Sequence, residues 1–238
     1  FPLLILSFKK IYKTAQFMDN VMTDIILFYC ASFYFLRPNK PIFTFKQGTT
    51  MGHRLSKIYT RTGDSGTTGL GDGSRVAKDD LRIHALGDVD ELNACIGVLR
   101  SQITHSSIPD KNTWDKSLSL IQHWLFDLGG EVCIPNYHLV QPLAIEYLEQ
   151  DIDRMNENLP MLKEFILPAG TLACSYAHQA RAVCRRAERS LMTAHNRDQN
   201  IQAPSLQLLN RLSDWLFVAS RSLQLEEHGK EMYWQRQK

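Results

Sequence analysis

His178-Gln-Ala-Arg-Ala-Val-Cys-Arg-Arg-Ala-Glu-Arg189 decides how the rest of this chain is read. As a helix it has two faces. Ala177, Ala180, Cys184, Ala187 and Leu191 recur at steps of three and four, which makes a seam of small residues suited to a core. Arg181, Arg185 and Arg189 step by four along another face, with Arg186 beside them and Glu188 one turn from Arg185. Four arginines within nine residues repel one another unless anions lie between them. The planar guanidinium suits phosphate or carboxylate. The plainer alternative is a solvated helix face carrying an Arg-Glu pair.

A second anion-binding candidate lies far upstream. Lys57-Ile-Tyr-Thr-Arg-Thr-Gly-Asp-Ser-Gly-Thr-Thr-Gly-Leu-Gly-Asp-Gly73 is rich in Gly, Thr and Asp. It contains neither a Walker A G-K-[ST] nor G-x-G-x-x-G. Glycines let backbone N–H groups approach a phosphate, and Thr60, Thr62, Thr67 and Thr68 add hydroxyls, with Arg61 and Lys78 supplying charge. Ordinary turn punctuation is the competing reading.

From Asp79 onward the periodicity is helical. Val89, Leu92, Ile96 and Leu99 share one face, with Asp90 and Asn93 on another. Trp114, Leu118, Ile121, Leu125 and Leu128 mark a second helix, expected to stop at Gly129-Gly130. Ile145, Leu148, Ile152, Met155 and Leu159 mark a third, opened near Pro142 and closed by Pro160. The link Phe165-Ile-Leu-Pro-Ala-Gly170 leads into the arginine helix, and Pro204 opens a fifth with Leu209, Leu212, Leu216, Ala219 and Leu223 inward. Strand-like alternation is nearly absent. The expected fold is all-α, a five-helix up-and-down bundle with an extended Gly/Thr-rich loop at its N-terminal end.

Residues 1–50 differ in composition. They hold eight of the eleven phenylalanines, one glycine, and six Lys/Arg against two Asp/Glu, a net charge of +4, whereas 51–238 carries −2. Val21–Leu36 is apolar but shorter than the roughly 20 residues a spanning helix needs, and Asp24 interrupts it. No small-residue cleavage site follows, and Arg37 is the only arginine, so neither a signal peptide nor a transit peptide is indicated. The expectation is a non-native or disordered extension over 1–50, with translation starting at Met51 and the functional domain spanning 51–238. A membrane leader is the alternative. The negative charge of 51–238 argues against nucleic acid. Five cysteines without a C-x-x-C pair read as thiols in a reducing, cytoplasmic setting, and the histidines show no metal-ligand spacing.

Five segments, in order, carry a resemblance: Tyr-Thr-Arg-Thr-Gly-Asp-Ser-Gly-Thr-Thr at 59–68, Val-Asp-Glu-Leu-Asn at 89–93, Phe-Ile-Leu-Pro-Ala-Gly at 165–170, Arg-Arg-Ala-Glu-Arg at 185–189 and Asn-Arg-Leu-Ser-Asp at 210–214. From about Lys57 to Lys238 the chain resembles the PduO-type ATP:cob(I)alamin adenosyltransferases. The resemblance implies transfer of the 5′-deoxyadenosyl group of ATP to reduced cobalamin with release of triphosphate. It also implies a homotrimer with sites between subunits, a reductase supplying electrons and a possible B12-dependent client. By the same resemblance Thr60, Arg61, Thr62, Gly63, Thr68, Gly69, Lys78, Arg185, Arg186, Glu188, Arg189 and Asn210 hold the nucleotide, whose phosphates carry Mg²⁺; no protein-held metal is expected. Asp90 and Arg181 are implied to pair across the interface on the corrinoid side. Phe165 is implied to cover the lower axial face of the corrinoid and exclude a cobalt ligand. By residue type alone it reads as a packed aromatic. Ala169 stands where the family more often has glycine, which is expected to perturb the turn slightly.

The residues are compatible with that chemistry. No Ser-His-Asp or Cys-His arrangement supplies a nucleophile, and none is needed if the cofactor is one. The other classes left open are an ATP phosphotransferase, which lacks its phosphate loop here, and a non-catalytic nucleotide or corrinoid carrier or sensor on the same bundle. A chain beginning at Met51 is expected to be as soluble and active in adenosyl transfer as the full chain; loss of either on removing residues 1–50 would make that segment a working part.

Overall fold

A computed structural model describes residues 59–236 of the 238-residue chain. The expectations for residues 1–50 lie outside the described residues. Five helices dominate: α1 (Leu81–His105), α2 (Lys111–Cys133), α3 (Pro142–Asn156), α4 (Leu172–Asp198) and α5 (Ala203–Glu226). The all-α expectation holds, with one small addition. The Gly/Thr loop folds back on itself as an antiparallel hairpin of β1 (Thr67–Gly69) and β2 (Arg75–Ala77), with Thr67 opposite Ala77. Neither three-residue strand has apolar alternation, so its sequence carries no strand pattern.

α4 packs against both α1 and α5, α1 against α2, and α5 against α3. Its small-residue seam makes this central position possible: Ala177, Ala180, Cys184, Ala187 and Leu191 are wholly buried. Larger side chains complete the core on the other side of the bundle. Trp114 of α2 meets Trp215 of α5 edge-on with ring centroids 6.0 Å apart, and Trp124 meets Tyr147 of α3 at 5.5 Å. Such edge-to-face pairs are a favoured aromatic geometry. The inward residues expected for α1 and α5 are all buried.

Polar caps and ties set the helix ends. Asp80 caps α1 through Arg82 N and also accepts from Arg197, while Arg82 and Arg197 both reach Asp198 at the end of α4. First turn against last turn fixes α1 and α4 as antiparallel. Thr171 caps α4 through Cys174 N. α2 runs past Gly129-Gly130 to Cys133, which corrects the expected stop. Two glycines cost a helix roughly 1 kcal/mol each. Here burial of Leu128 and Val132 on the same turns outweighs that. Buried Glu131 adds a tie, accepting from Leu139 N and Val140 N and from Ser205 Oγ at the start of α5.

The link before α4 contains the glycine that matters. Gly170 has φ +141°, and a Cβ there would lie 2.1 Å from Gln224 Oε1. Ala169 is not among the positive-φ residues, so an alanine there is accommodated, contrary to the expected perturbation. Gly170→Ala is expected to cost about 1–3 kcal/mol from the backbone conformation alone, read as a lowered melting temperature. Ala169→Gly is expected to shift it little. A Gly170→Ala protein as stable as the parent would show that the link relaxes freely.

Candidate functional site

The loop comes first along the chain. Arg61 takes a left-handed conformation, φ 60°, and Gly66 turns the chain at φ 85°. Arg75 ties the turn to the hairpin: its Nη2 donates to Thr62 O at 2.7 Å and to Thr67 Oγ1 at 2.7 Å. Lys78 lies over Gly63, where an added Cβ would meet Cε and Nζ at 3.3 Å. Gly71 is required by close approach. Its N–H points at Cys133 Sγ, 2.9 Å away, and a side chain would strike Ile134 at 2.5 Å. The Gly/Thr loop is therefore seated on the end of α2, with Thr60 and Thr62 hydroxyls 2.9 Å apart and exposed. Thr68 and Gly69 stand on β1.

On α4 the four arginines separate into two groups. Arg186, expected with the nucleotide-binding set, is engaged within the chain: it pairs with Asp88 at 2.9 Å and with Glu91 of α1. These two carboxylates raise its pKa further. Arg181, Arg185 and Arg189 have no carboxylate partner among the described residues. Arg189 Nη1 donates to Arg185 O at 2.9 Å, and Arg181 Nε is buried with no partner. Burial and the charge of Arg185 lower the pKa of Arg181. A buried, unpaired guanidinium N–H is costly, and an anion or an acceptor would satisfy it.

Arg181 and Phe217 both line two adjoining spaces. One is a cavity of about 520 Å³ whose walls include Leu162, Phe165, Ile166 and His178. The other is a cleft of about 180 Å³ that also takes in Arg185, Ser213 and Asp214. The cationic stripe thus begins at an aromatic-lined cavity and continues out of it. Phe165 is 80 % exposed, so reading it as a packed core aromatic is corrected. Asn210 of α5 donates to Glu188 Oε1 at 3.0 Å, which brings the 185–189 and 210–214 segments together. Asp90 is exposed on α1, without an ion pair among the described residues. It forms no hydrogen bond or ion pair with Arg181 within the chain.

His178 and Phe217 belong to this site, and the sequence reading assigned a role to neither. His178 sits one turn before Arg181, which was the available signal. The imidazole is buried, stacks obliquely on Phe217 at 6.3 Å, and its Nδ1 lacks a partner. Burial, helped by Arg181, pushes its pKa down to about 4, so it is neutral at pH 7.

A family model described as cobalamin adenosyltransferase matches residues 58–223. The chain belongs to the cobalamin adenosyltransferase family. It is 50% identical over 188 residues to a cobalamin adenosyltransferase of Cupriavidus metallidurans, covering 79% of this chain and 99% of that one. It is 41% identical over 169 residues to a corrinoid adenosyltransferase of Bacillus subtilis, covering 69% and 85%. Among solved structures it resembles a PduO-type ATP:corrinoid adenosyltransferase variant from Lactobacillus reuteri complexed with cobalamin and ATP. That match has a TM-score of 0.70 and 33% identity, and covers 76% of this chain and 100% of the other. No described helix is long and apolar enough to cross a membrane.

The His178 shift has a pH signature. The unfolded chain, with the ordinary value near 6.5, binds a proton that the folded chain refuses until about pH 4. Folded stability is therefore full above pH 6.5 and falls as pH drops toward 4, by up to about 3 kcal/mol. Melting temperature against pH, compared with His178→Gln, is expected to lose that part of the decline in the variant. Parallel curves would mean that His178 protonates freely in the fold.

Proposed function

We propose that this chain transfers the 5′-deoxyadenosyl group of ATP to cob(I)alamin. Cobalt(I) supplies the nucleophile. The new cobalt–carbon bond forms at C5′ as the C5′–O bond breaks, and the electron pair leaves with triphosphate. The observation that carries this reading is the continuity of the aromatic cavity around Phe165 with the unpaired stripe of Arg181, Arg185 and Arg189. A flat apolar substrate and a polyanion are thereby offered adjoining sites.

In this reading Arg185 and Arg189 hold the phosphates, whose charge Mg²⁺ shares. Thr60, Arg61, Thr62, Gly63, Thr68, Gly69 and Lys78 bring backbone and side-chain donors from the loop. Glu188 and Asn210, already bonded to each other, face the nucleoside. Arg186 enters as a brace between α1 and α4 that keeps the stripe in register. The loop rests on α2 and the stripe on α4, so we place the complete site between subunits of a homotrimer, with Asp90 of one reaching the orphaned Arg181 of the next. Sedimentation reads the assembly; a monomer at working concentration overturns it. Phe165 occupies the lower face of the corrinoid and keeps a fifth ligand off cobalt(II), which eases reduction to cobalt(I) by a reductase. We place the reaction in the cytoplasm, with delivery to a B12-dependent client as a further step.

The test is incubation with ATP, Mg²⁺ and chemically reduced cobalamin, following the corrinoid spectrum and the phosphate product. Triphosphate together with adenosylcobalamin is expected; ADP or no turnover overturns the reading. Arg185→Ala and Arg189→Ala are each expected to weaken use of ATP by about 10- to 150-fold, the worth of a charged hydrogen bond. Lysine at either position should recover only part of it, since a point charge cannot reproduce the guanidinium fork. Because Phe165 is exposed, Phe165→Ala is expected to leave the melting temperature nearly unchanged. It should abolish most turnover from cob(II)alamin, while turnover from preformed cob(I)alamin largely returns. Equal losses with both corrinoids would remove Phe165 from the reduction step.

A further inference from the structure

An exposed side chain is not located by its own packing. Phe165 is 80 % exposed, so where its ring stands depends on the backbone that carries it. That backbone is held by the end of the chain. Leu167 N donates to Met232 O at 2.7 Å, Trp234 N donates to Phe165 O at 2.8 Å, and Ile166 forms an antiparallel bridge with Tyr233. The segment following α5 has therefore come back to lie alongside the link that precedes α4.

The returning segment is anchored in turn to α5. Arg221 is buried, and donates through Nε to Glu231 at 2.7 Å and through Nη2 to Pro160 O at 2.6 Å. The buried amide of Gln224 accepts from Thr171 N at 2.8 Å and donates to Lys230 O at 2.9 Å, so one side chain grips both the link and the tail. Gly170 and Gly229 leave room for that amide; a Cβ at either would lie within 2.1 Å of it. The tyrosyl hydroxyl of Tyr233 closes the set on Glu231 at 2.6 Å. Each contact is modest, but together they restrict both segments. A directly bonded, doubly anchored pair of segments is stiffer than a free loop.

We infer that Lys230–Trp234 is a positioning strap for the corrinoid site, whose backbone sets Phe165 at the height needed to cover the corrinoid from below. This rests on the role given to Phe165 in the proposed function. The strap lies beyond residues 58–223, which the family model matches, so it is not part of the matched pattern. Trp234, with Phe165, Ile166 and Leu167, lines an apolar hollow of about 360 Å³ on the side of the link. Its indole is half exposed; the donor to Phe165 O is the Trp234 backbone N–H.

Two substitutions at one position separate these. Trp234→Pro removes the N–H that donates to Phe165 O and leaves the Arg221–Glu231 anchor intact. Trp234→Ala removes the indole and keeps the N–H. In the ligand-free full-length protein, hydrogen exchange at the Leu167 amide is expected to speed up in Trp234→Pro and to stay unchanged in Trp234→Ala. With cob(II)alamin and ATP bound, electron paramagnetic resonance is expected to show more five-coordinate cobalt in the proline variant only. Turnover from cob(II)alamin is expected to fall about 2- to 10-fold in Trp234→Pro, as for one lost backbone hydrogen bond, with turnover from preformed cob(I)alamin and melting temperature unchanged. Unchanged Leu167 exchange in Trp234→Pro overturns the strap whatever Phe165 does. Equal effects of Ala and Pro overturn it in favour of the indole. If exchange speeds up but Phe165→Ala affects both corrinoids alike, the strap stands as a backbone device and it is the role of Phe165 that fails.

Discussion

The structure depends on how closely α4 can approach its neighbours. A seam of Ala177, Ala180, Cys184 and Ala187 has almost no side chain to hold helices apart, and all four residues are wholly buried. α4 is thereby packed against both α1 and α5. Helix axes separate according to the side chains at their contact. The face of α4 turned away from these two contacts carries Arg185 and Arg189, both exposed. The seam and the stripe are two consequences of one period of 3.6 residues.

That placement explains why the stripe is electrostatically unfinished. Carboxylates are available nearby, and Arg186 takes Asp88 and Glu91 from α1. Arg82 and Arg197 share Asp80 and Asp198 at the opposite end of α4 from the cavity. Arg181, Arg185 and Arg189 have no carboxylate ion-pair partner among the described residues. Like charges one turn apart destabilise a helix, and burying Arg181 Nε without a partner adds to the cost. An anion arriving from outside the chain would relieve both costs, which is the part the proposed function gives to ATP. Local strain of this kind is characteristic of binding sites.

Buried polar side chains do the work of joining irregular segments to the bundle. Glu131 holds the chain at Leu139 and Val140 and reaches Ser205. Asp151 receives the Trp215 indole N–H at 2.7 Å and Arg154 at 2.6 Å. Gln224 and Arg221 gather the link and the tail. Each of these groups has its hydrogen bonds directed to backbone, to a charged partner or to a neutral side-chain donor, which is what allows burial. The consequence at the site is that Phe165 can be exposed and still be placed.

The helices, their inward faces and the central role of α4 were legible in the residues, because a repeating pattern of apolar positions has only one way to be buried. Gly129-Gly130 misled for the same kind of reason: a local helix-breaking preference of roughly 1 kcal/mol per glycine is small beside burial of the turns around it. The hairpin within the Gly/Thr loop left no periodic trace, and its clamp, Arg75, acts through the carbonyls of Thr62 and Thr67 and the Thr67 hydroxyl, a set that no periodic pattern encodes. Sequence alone set Arg186 beside the stripe and, by resemblance, with the nucleotide. Only the packing of α1 against α4 assigned Arg186 to Asp88 and Glu91, while the other three have no carboxylate partner among the described residues. The exposure of Phe165, the cavity shared by Phe217, His178 and Arg181, and the tail lying along the link were likewise settled by tertiary structure. They join residues tens of positions apart, and which distant segments meet is set by the geometry of helix packing rather than by the composition of any one segment.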